Sequence, residues 1–403
     1  MDNSSMESRN NSEIPAETTN DLSEAVRLLS DGFSGISKFF GLQEYLKKIP
    51  EEAIKVDAAM TQLSQSSGAS ASELRIYFDQ AAESARRYGI SISDLLGVTA
   101  EWSRMGYGLP DAHALAEAAA LYSHITGMDV GASNEALVST VQGLQLEAGE
   151  VEQLLDMLAK TGHDLSIDPA GIGKALQESA ASFRAADTDL SQTIALVAGA
   201  DSVIADPGTV SDLWNAVETH IYGAKLELEA AGVETDGMLS STAQLRDLVQ
   251  NLTGFDIMAD SAGTQLKDLY SIVVGIGSEW QNLSASEQNG LLDALAGSQG
   301  NALGSVLDNI SAIETAYQSA GNASGSALAA QEKYEQGIRY SLDRLEASFQ
   351  QFADTLAGDG LLKGIADFGN GAVNVLDSVT DKIGALGTIG TTIGAVAGAK
   401  NLG

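Results

Sequence analysis

The chain has 403 residues, with 55 acidic against 22 basic side chains, a formal net charge of −33 and no cysteine. Such an acidic surface repels phosphate and argues against nucleic-acid binding, while the missing thiols exclude disulfides, thiolate catalysis and cysteine zinc sites. Aromatic residues make up 5% and there are five prolines, so strands lack their usual material and long helices meet few obstacles. The expected fold is all-α, a multi-helix bundle with a C-terminal coiled-coil-like helix and a glycine-rich hydrophobic tail.

Residues 1–20, rich in Asn and Ser, read as a disordered lead rather than a signal peptide, which places the newly made chain in the cytoplasm. Leu22 to Ile49 carries two short amphipathic patterns interrupted at Asp31-Gly32, and Pro50 opens a helix that runs to about Gln65. Ser66 to Ser72 reads as a turn in which Ser70 or Ser72 caps the next helix. That helix covers Glu73 to Tyr88, and another runs from Ser91-Ile92 to Gly106-Tyr-Gly108. From Pro110 to Gly232 one local design repeats, a helix followed by a glycine turn, with stops expected at Gly127, Gly131, Gly143, Gly149, Gly162 and Gly199. A second helical group runs from Leu239 to Ser319, with turns near Gly254, Gly263 and Gly300. Asn322 to Ser326 is linker-like. The expected organisation is therefore a lead at 1–20, a helical core at 21–326, heptad and amphipathic helices at 327–382, and a hydrophobic segment at 383–403.

The C-terminal quarter is the part with the strongest pattern. Ile338, Leu342, Leu345, Phe349, Phe352 and Leu356 follow one another at steps of four and three, an a/d seam that calls for a partner helix and hence for self-association. An amphipathic helix is expected from Leu361 to Lys382. Beyond it, residues 383–399 carry no charge, and Gly390, Gly394 and Gly398 stand one helical turn apart. Ile383, Leu386, Ile389, Ile393 and Val396 complete a face that suits either close helix contact in lipid or a small-residue helix in a protein bundle.

Sites for chemistry are hard to find. The four histidines, His113, His124, His163 and His220, form no metal-ligand pair. Asp168-Pro-Ala-Gly-Ile-Gly-Lys174 resembles a phosphate loop but has Asp for its first glycine and Ala175 where a hydroxyl would meet magnesium. Asp187-Thr-Asp189 opens like a calcium loop and then has Gln192 at the glycine position. No nucleophile elbow occurs. The expectation is a non-enzyme without cofactor or metal.

Several blocks in order resemble the core of phage tail tape measure proteins. They are Trp102-Ser-Arg104 with Gly106-Tyr-Gly108 and Leu115 to Ala120; Tyr222 to Gly232 with Asp236-Gly-Met238; Ser241 to Arg246 through Leu252 to Ile257; Leu291 to Ser298 with Gln299 to Leu303; and Glu332-Lys-Tyr334 through Ser348-Phe349 to Ile365 to Gly369. The resemblance spans about residues 70 to 400. It implies a protein that lies in the tail lumen in a few copies, scaffolds tube polymerisation and sets tail length. It further implies partners among tail tube subunits, tail assembly chaperones and the host inner membrane during genome entry. Members usually run longer. At about 1.5 Å per residue a wholly helical chain of this length spans at most about 600 Å, so either the tail is short or the chain is a piece of a longer ruler. A helical, membrane-inserting toxin is the alternative that shares the hydrophobic tail.

Overall fold

The computed structural model of the protein describes residues 49–223, 239, 241–337, 340, 343–344, 347 and 351. The helices expected at Leu22–Ile49 (apart from Ile49 itself), the seam residues Ile338, Leu342, Leu345, Phe349, Phe352 and Leu356, and all of 361–403 lie outside the described residues. The described residues are helical, with a lone bridge between Met258 and Leu266 and no strand. The all-α expectation therefore stands. The chain divides into two compact units, one from Met1–Arg104 with Gly337–Gly403, the other Met105–Gln336.

In the first unit, α1 (Ile49–Ser67) and α2 (Ala71–Tyr88) pack against α3 (Ile92–Arg104). Ser70 begins α2 through a capping box: the Glu73 backbone N–H donates to Ser70 Oγ at 3.3 Å, and the Ser70 N–H donates to Glu73 Oε2 at 2.8 Å. Two first-turn donors that would otherwise lack partners are thereby satisfied. Gly89 ends the helix at φ 64°, where a side chain would be strained. Inside, the Tyr77 hydroxyl bonds Thr99 Oγ1 at 2.8 Å, so a buried polar group is paired.

The second unit carries α4 (Leu109–Thr126), α5 (Val130–Leu144), α6 (Val151–Leu165), α7 (Pro169–Ala185), α8 (Leu190–Ile204) and α9 (Pro207–Tyr222) in unbroken succession. Then come α10 (Thr242–Thr253), α11 (Leu269–Glu279), α12 (Ala285–Ala296), α13 (Gly300–Asp308), α14 (Ile310–Gly321) and α15 (Ser326–Glu335). Helices α5, α7 and α9 pack side by side, each on the next but one in sequence, and α4, α6 and α8 do the same beneath them. Helix α14 then returns along α8 and α6, and α15 along α6 and α4. The layer of α4, α6 and α8 is thus covered on both faces. Helix α8 shows the consequence: every residue from Thr193 to Asp201 is buried, so its sequence has no polar stripe for a helical period to reveal.

The glycines correct the expected helix ends. Gly127 does terminate α4, at φ 72°. Gly131 and Gly143, however, lie inside α5, Gly149 inside a 3₁₀ turn, Gly162 inside α6 and Gly199 inside α8. At three of them, contact rather than turning explains the residue. A Cβ on Gly143 would stand 2.6 Å from the Ala180 methyl, one on Gly162 2.7 Å from the Pro169 ring, and one on Gly199 2.6 Å from the Ile313 side chain. The chain turns instead at Gln145, Ser166, Asp187 and Ala205, with φ of 57°, 57°, 53° and 56°.

Candidate functional site

From α5 to α9 one kind of acidic helix start recurs. Asp129, Asp168, Asp189 and Asp206 are the N-caps of α5, α7, α8 and α9. Their carboxylates accept from Ala132 N at 2.9 Å, Ala170 N at 3.0 Å, Gln192 N at 2.8 Å and Thr209 N at 3.1 Å. Glu147 starts the short turn before α6, its N–H donating to Glu150 Oε2 at 2.8 Å. A carboxylate here both satisfies free donors and meets the positive end of the helix.

The buried positions keep register with these caps. After Asp129 the buried residues are Ser133, Asn134, Ala136, Leu137, Thr140, Val141 and Leu144. After Asp168 they are Ile172, Gly173, Ala175, Leu176, Ser179, Ala180 and Phe183, at the same offsets from the cap. After Asp206 come Val210, Ser211, Leu213, Trp214, Val217 and Ile221, again at those offsets with one omitted. One helical unit with one core face recurs across the layer. The acidic residues at 129, 147, 168, 189 and 206 are the sequence signal that could have revealed it, a period of about 20 residues.

The two near-motifs dissolve into this scheme. Asp168 to Lys174 is the capped first turn of α7, with Pro169 at its first position, and Asp187 to Gln192 is the turn and capping box of α8. The histidines are placed by local contacts: His113 faces Glu117 at 3.5 Å, His124 stacks on Tyr334 at 3.8 Å, and His220 Nδ1 lies 3.1 Å from the Ala294 carbonyl. Among the described residues no three His, Asp or Glu side chains gather so as to hold a metal ion. No described helix is long and apolar enough to cross a membrane. An apolar void bounded by Val217, Ile221, Ile272 and Leu303 measures about 10 Å³, too little for a metabolite.

Two carboxylates of α6 reach across to the chain beyond α13. Asp156, 7% exposed, accepts from Gly325 N at 2.7 Å and Ala327 N at 2.8 Å, so α6 caps α15 from across the layer. Two turns along the same helix, Asp164 accepts from Ser319 Oγ at 2.8 Å and Lys160 Nζ at 2.7 Å, and these bonds hold its carboxyl below the ordinary range. Between α7 and α9 a ladder of three bonds joins Ser182 to Asn215, Asn215 to the Glu178 carbonyl, and Ser211 to Glu178.

Asp201 on α8 is the exception. It is 6% exposed, its Oδ1 has no hydrogen-bond partner, and its carboxyl is pushed up by burial and then by Asp168 and Asp206 nearby. A raised folded pKa means that the native state holds this proton more tightly than the unfolded chain. The penalty is therefore full at neutral pH and fades as pH falls through the raised value towards about 3.9. Asp201→Asn is expected to add about 1 kcal/mol at pH 7 and to lose that advantage near pH 4. Denaturant melts at the two pH values check this, and a variant weaker than the parent at pH 7 would refute it.

A family model described as phage-related minor tail protein matches residues 79–297, more than half of the chain. The chain belongs to that family. No solved structure matches it. The matched region of this minor tail protein begins within α2 and holds the whole α4 to α9 stack through α12, but stops before α14 and α15. The clamp from Asp156 and Asp164 onto residues 319–327 therefore joins the matched region to the chain beyond it.

Proposed function

We propose that this minor tail protein is the tape measure of its tail, acting without enzymatic chemistry. The observation that carries the proposal is the repeated, acid-capped helical unit inside the region matched to the tail family, because a chain of serial helices converts residue count into length at about 1.5 Å per residue. The net charge of −33 suits a protein that occupies a passage for nucleic acid without binding it. In this reading the seam from Ile338 to Leu356 joins copies of the chain, tube subunits polymerise around them with assembly chaperones, and the face from Ile383 to Gly398 meets the host membrane at genome entry.

The repeat supplies the test. Removing Glu147 to Thr188 deletes 42 residues and joins Leu146 directly to the cap Asp189, so one acid cap replaces another. Electron micrographs of assembled tails should show shortening of about 60 Å. Assembled tails of parental length would defeat the ruler assignment, whatever the stability of the deleted protein.

A further inference from the structure

The four turns at Gln145, Ser166, Asp187 and Ala205 all use the left-handed region, at φ 53° to 57°, and none is glycine. An L side chain there is strained, and helices that end this way favour glycine. Glycine is not scarce in the chain, which has 42 of them. It fills this role at Gly89, Gly127 and Gly254, which end α2, α4 and α10 at φ 64°, 72° and 73°. Among the described residues, non-glycine residues take this left-handed role only at these four successive turns of the α5 to α9 stack, whose glycines at 143, 162 and 199 lie inside helices.

Helix propensity explains what the inversion achieves. Gln and Ala favour helix, Ser and Asp tolerate it, and glycine opposes it. Each of the four residues therefore disfavours the folded-back turn and, compared with glycine, favours a continuous helix through the same position. Pro169 and Pro207 divide the turns into two kinds, because proline and the residue before it resist the helix interior. Ser166 and Ala205 precede those prolines, so their turns must stay bent. Gln145 and Asp187 have no proline nearby, so they can pass into helix and would join α5 to α6 and α7 to α8.

We propose that the α5 to α9 stack is a strained element poised to unstack end to end, with Gln145 and Asp187 converting to continuous helix and Pro169 and Pro207 remaining as bends. The opened segment is two rods, Val130 to Leu165 and Pro169 to Ile204, each about 54 Å long. The interface between α5 and α7 favours such a motion where Gly143 faces Ala180 and Ala181, small residues with little side chain to withdraw. The inference does not rest on the ruler assignment: the strain belongs to the folded chain itself.

The natural chain has no cysteine, so spin labels at Glu135→Cys on α5 and Gln177→Cys on α7, both exposed, report the separation of two packed helices in the full-length protein. Below the urea midpoint, a population with the labels tens of ångströms further apart should appear while helical ellipticity is retained. Gln145→Gly should reduce that population about tenfold, since it relieves the turn and weakens the continuous helix together. If label separation and ellipticity change in one coincident step, or if Gln145→Gly leaves the separated population unchanged, the proposal is overturned. Should the doubly labelled variant fold poorly, amide exchange of α5 and α7 in the unlabelled parent and Gln145→Gly proteins reads the same opening, and equal exchange in both would be equally fatal.

Discussion

Gly199→Ala is expected to destabilise the Met105–Gln336 unit by about 3 kcal/mol, the upper part of the usual range for overpacking a core. The added methyl would lie 2.6 Å from Ile313 Cγ1, 2.7 Å from its Cα and 2.8 Å from its backbone nitrogen. Two of those atoms are main chain of α14, which lies along α8 over its most buried stretch. No rotamer change can make room, so one helix must move away from the other. Gly290→Ala supplies the control. That glycine is inside α12 with nothing within 4 Å of its notional Cβ, so alanine should be neutral or stabilising by up to about 1 kcal/mol. The denaturation midpoint should thus fall for Gly199→Ala and hold or rise for Gly290→Ala. A Gly199→Ala protein as stable as the parent would mean that α8 and α14 do not approach as described.

Asp156→Ala is expected to cost about 3 kcal/mol, because it removes two charge-assisted bonds and leaves the buried Ala327 amide, together with the Gly325 amide, without its acceptor. Gly325 is itself the N-cap of α15, at φ 79°, and has no side chain to replace the lost acceptor. Asp156→Asn keeps one acceptor oxygen but turns an amide towards a donor, so a loss of about half that size is expected. Hydrogen exchange distinguishes a local from a global effect. The Gly325 and Ala327 amides should lose protection before those of α8 in both variants. Exchange unchanged at these two amides would show that α15 is held by packing alone.

Much of the fold was legible in advance because the cues are local. Ser70 as a cap, Pro50 in the first turn of α1, and Gly127 and Gly254 at helix ends each act within one or two turns of chain. Composition supplied the rest of the all-α expectation. The glycines at 143, 162 and 199 misled for a physical reason: glycine serves equally where the chain must turn and where another helix must come close, and only the neighbour decides which. The acid-cap repeat was present in the sequence at 129, 147, 168, 189 and 206, but in a chain with 55 carboxylates no single one stands out. The buried offsets shared by α5, α7 and α9 are what make it a repeat.

By itself, then, the sequence of this minor tail protein determined that it is helical, where its first helices begin, that it has no thiol chemistry, and that its surface is strongly acidic. These follow from residue propensities and charge, which need no knowledge of what lies across the core. Tertiary structure alone decided that α8 is covered on both faces, that Asp156 caps a helix 169 residues further along the chain, that Asp201 is buried with its Oδ1 unpaired, and that the strained turns fall at Gln145, Ser166, Asp187 and Ala205. Each of those depends on which distant helix arrives at a given residue, and the layering of the α4 to α9 stack beneath α14 and α15 sets that arrival.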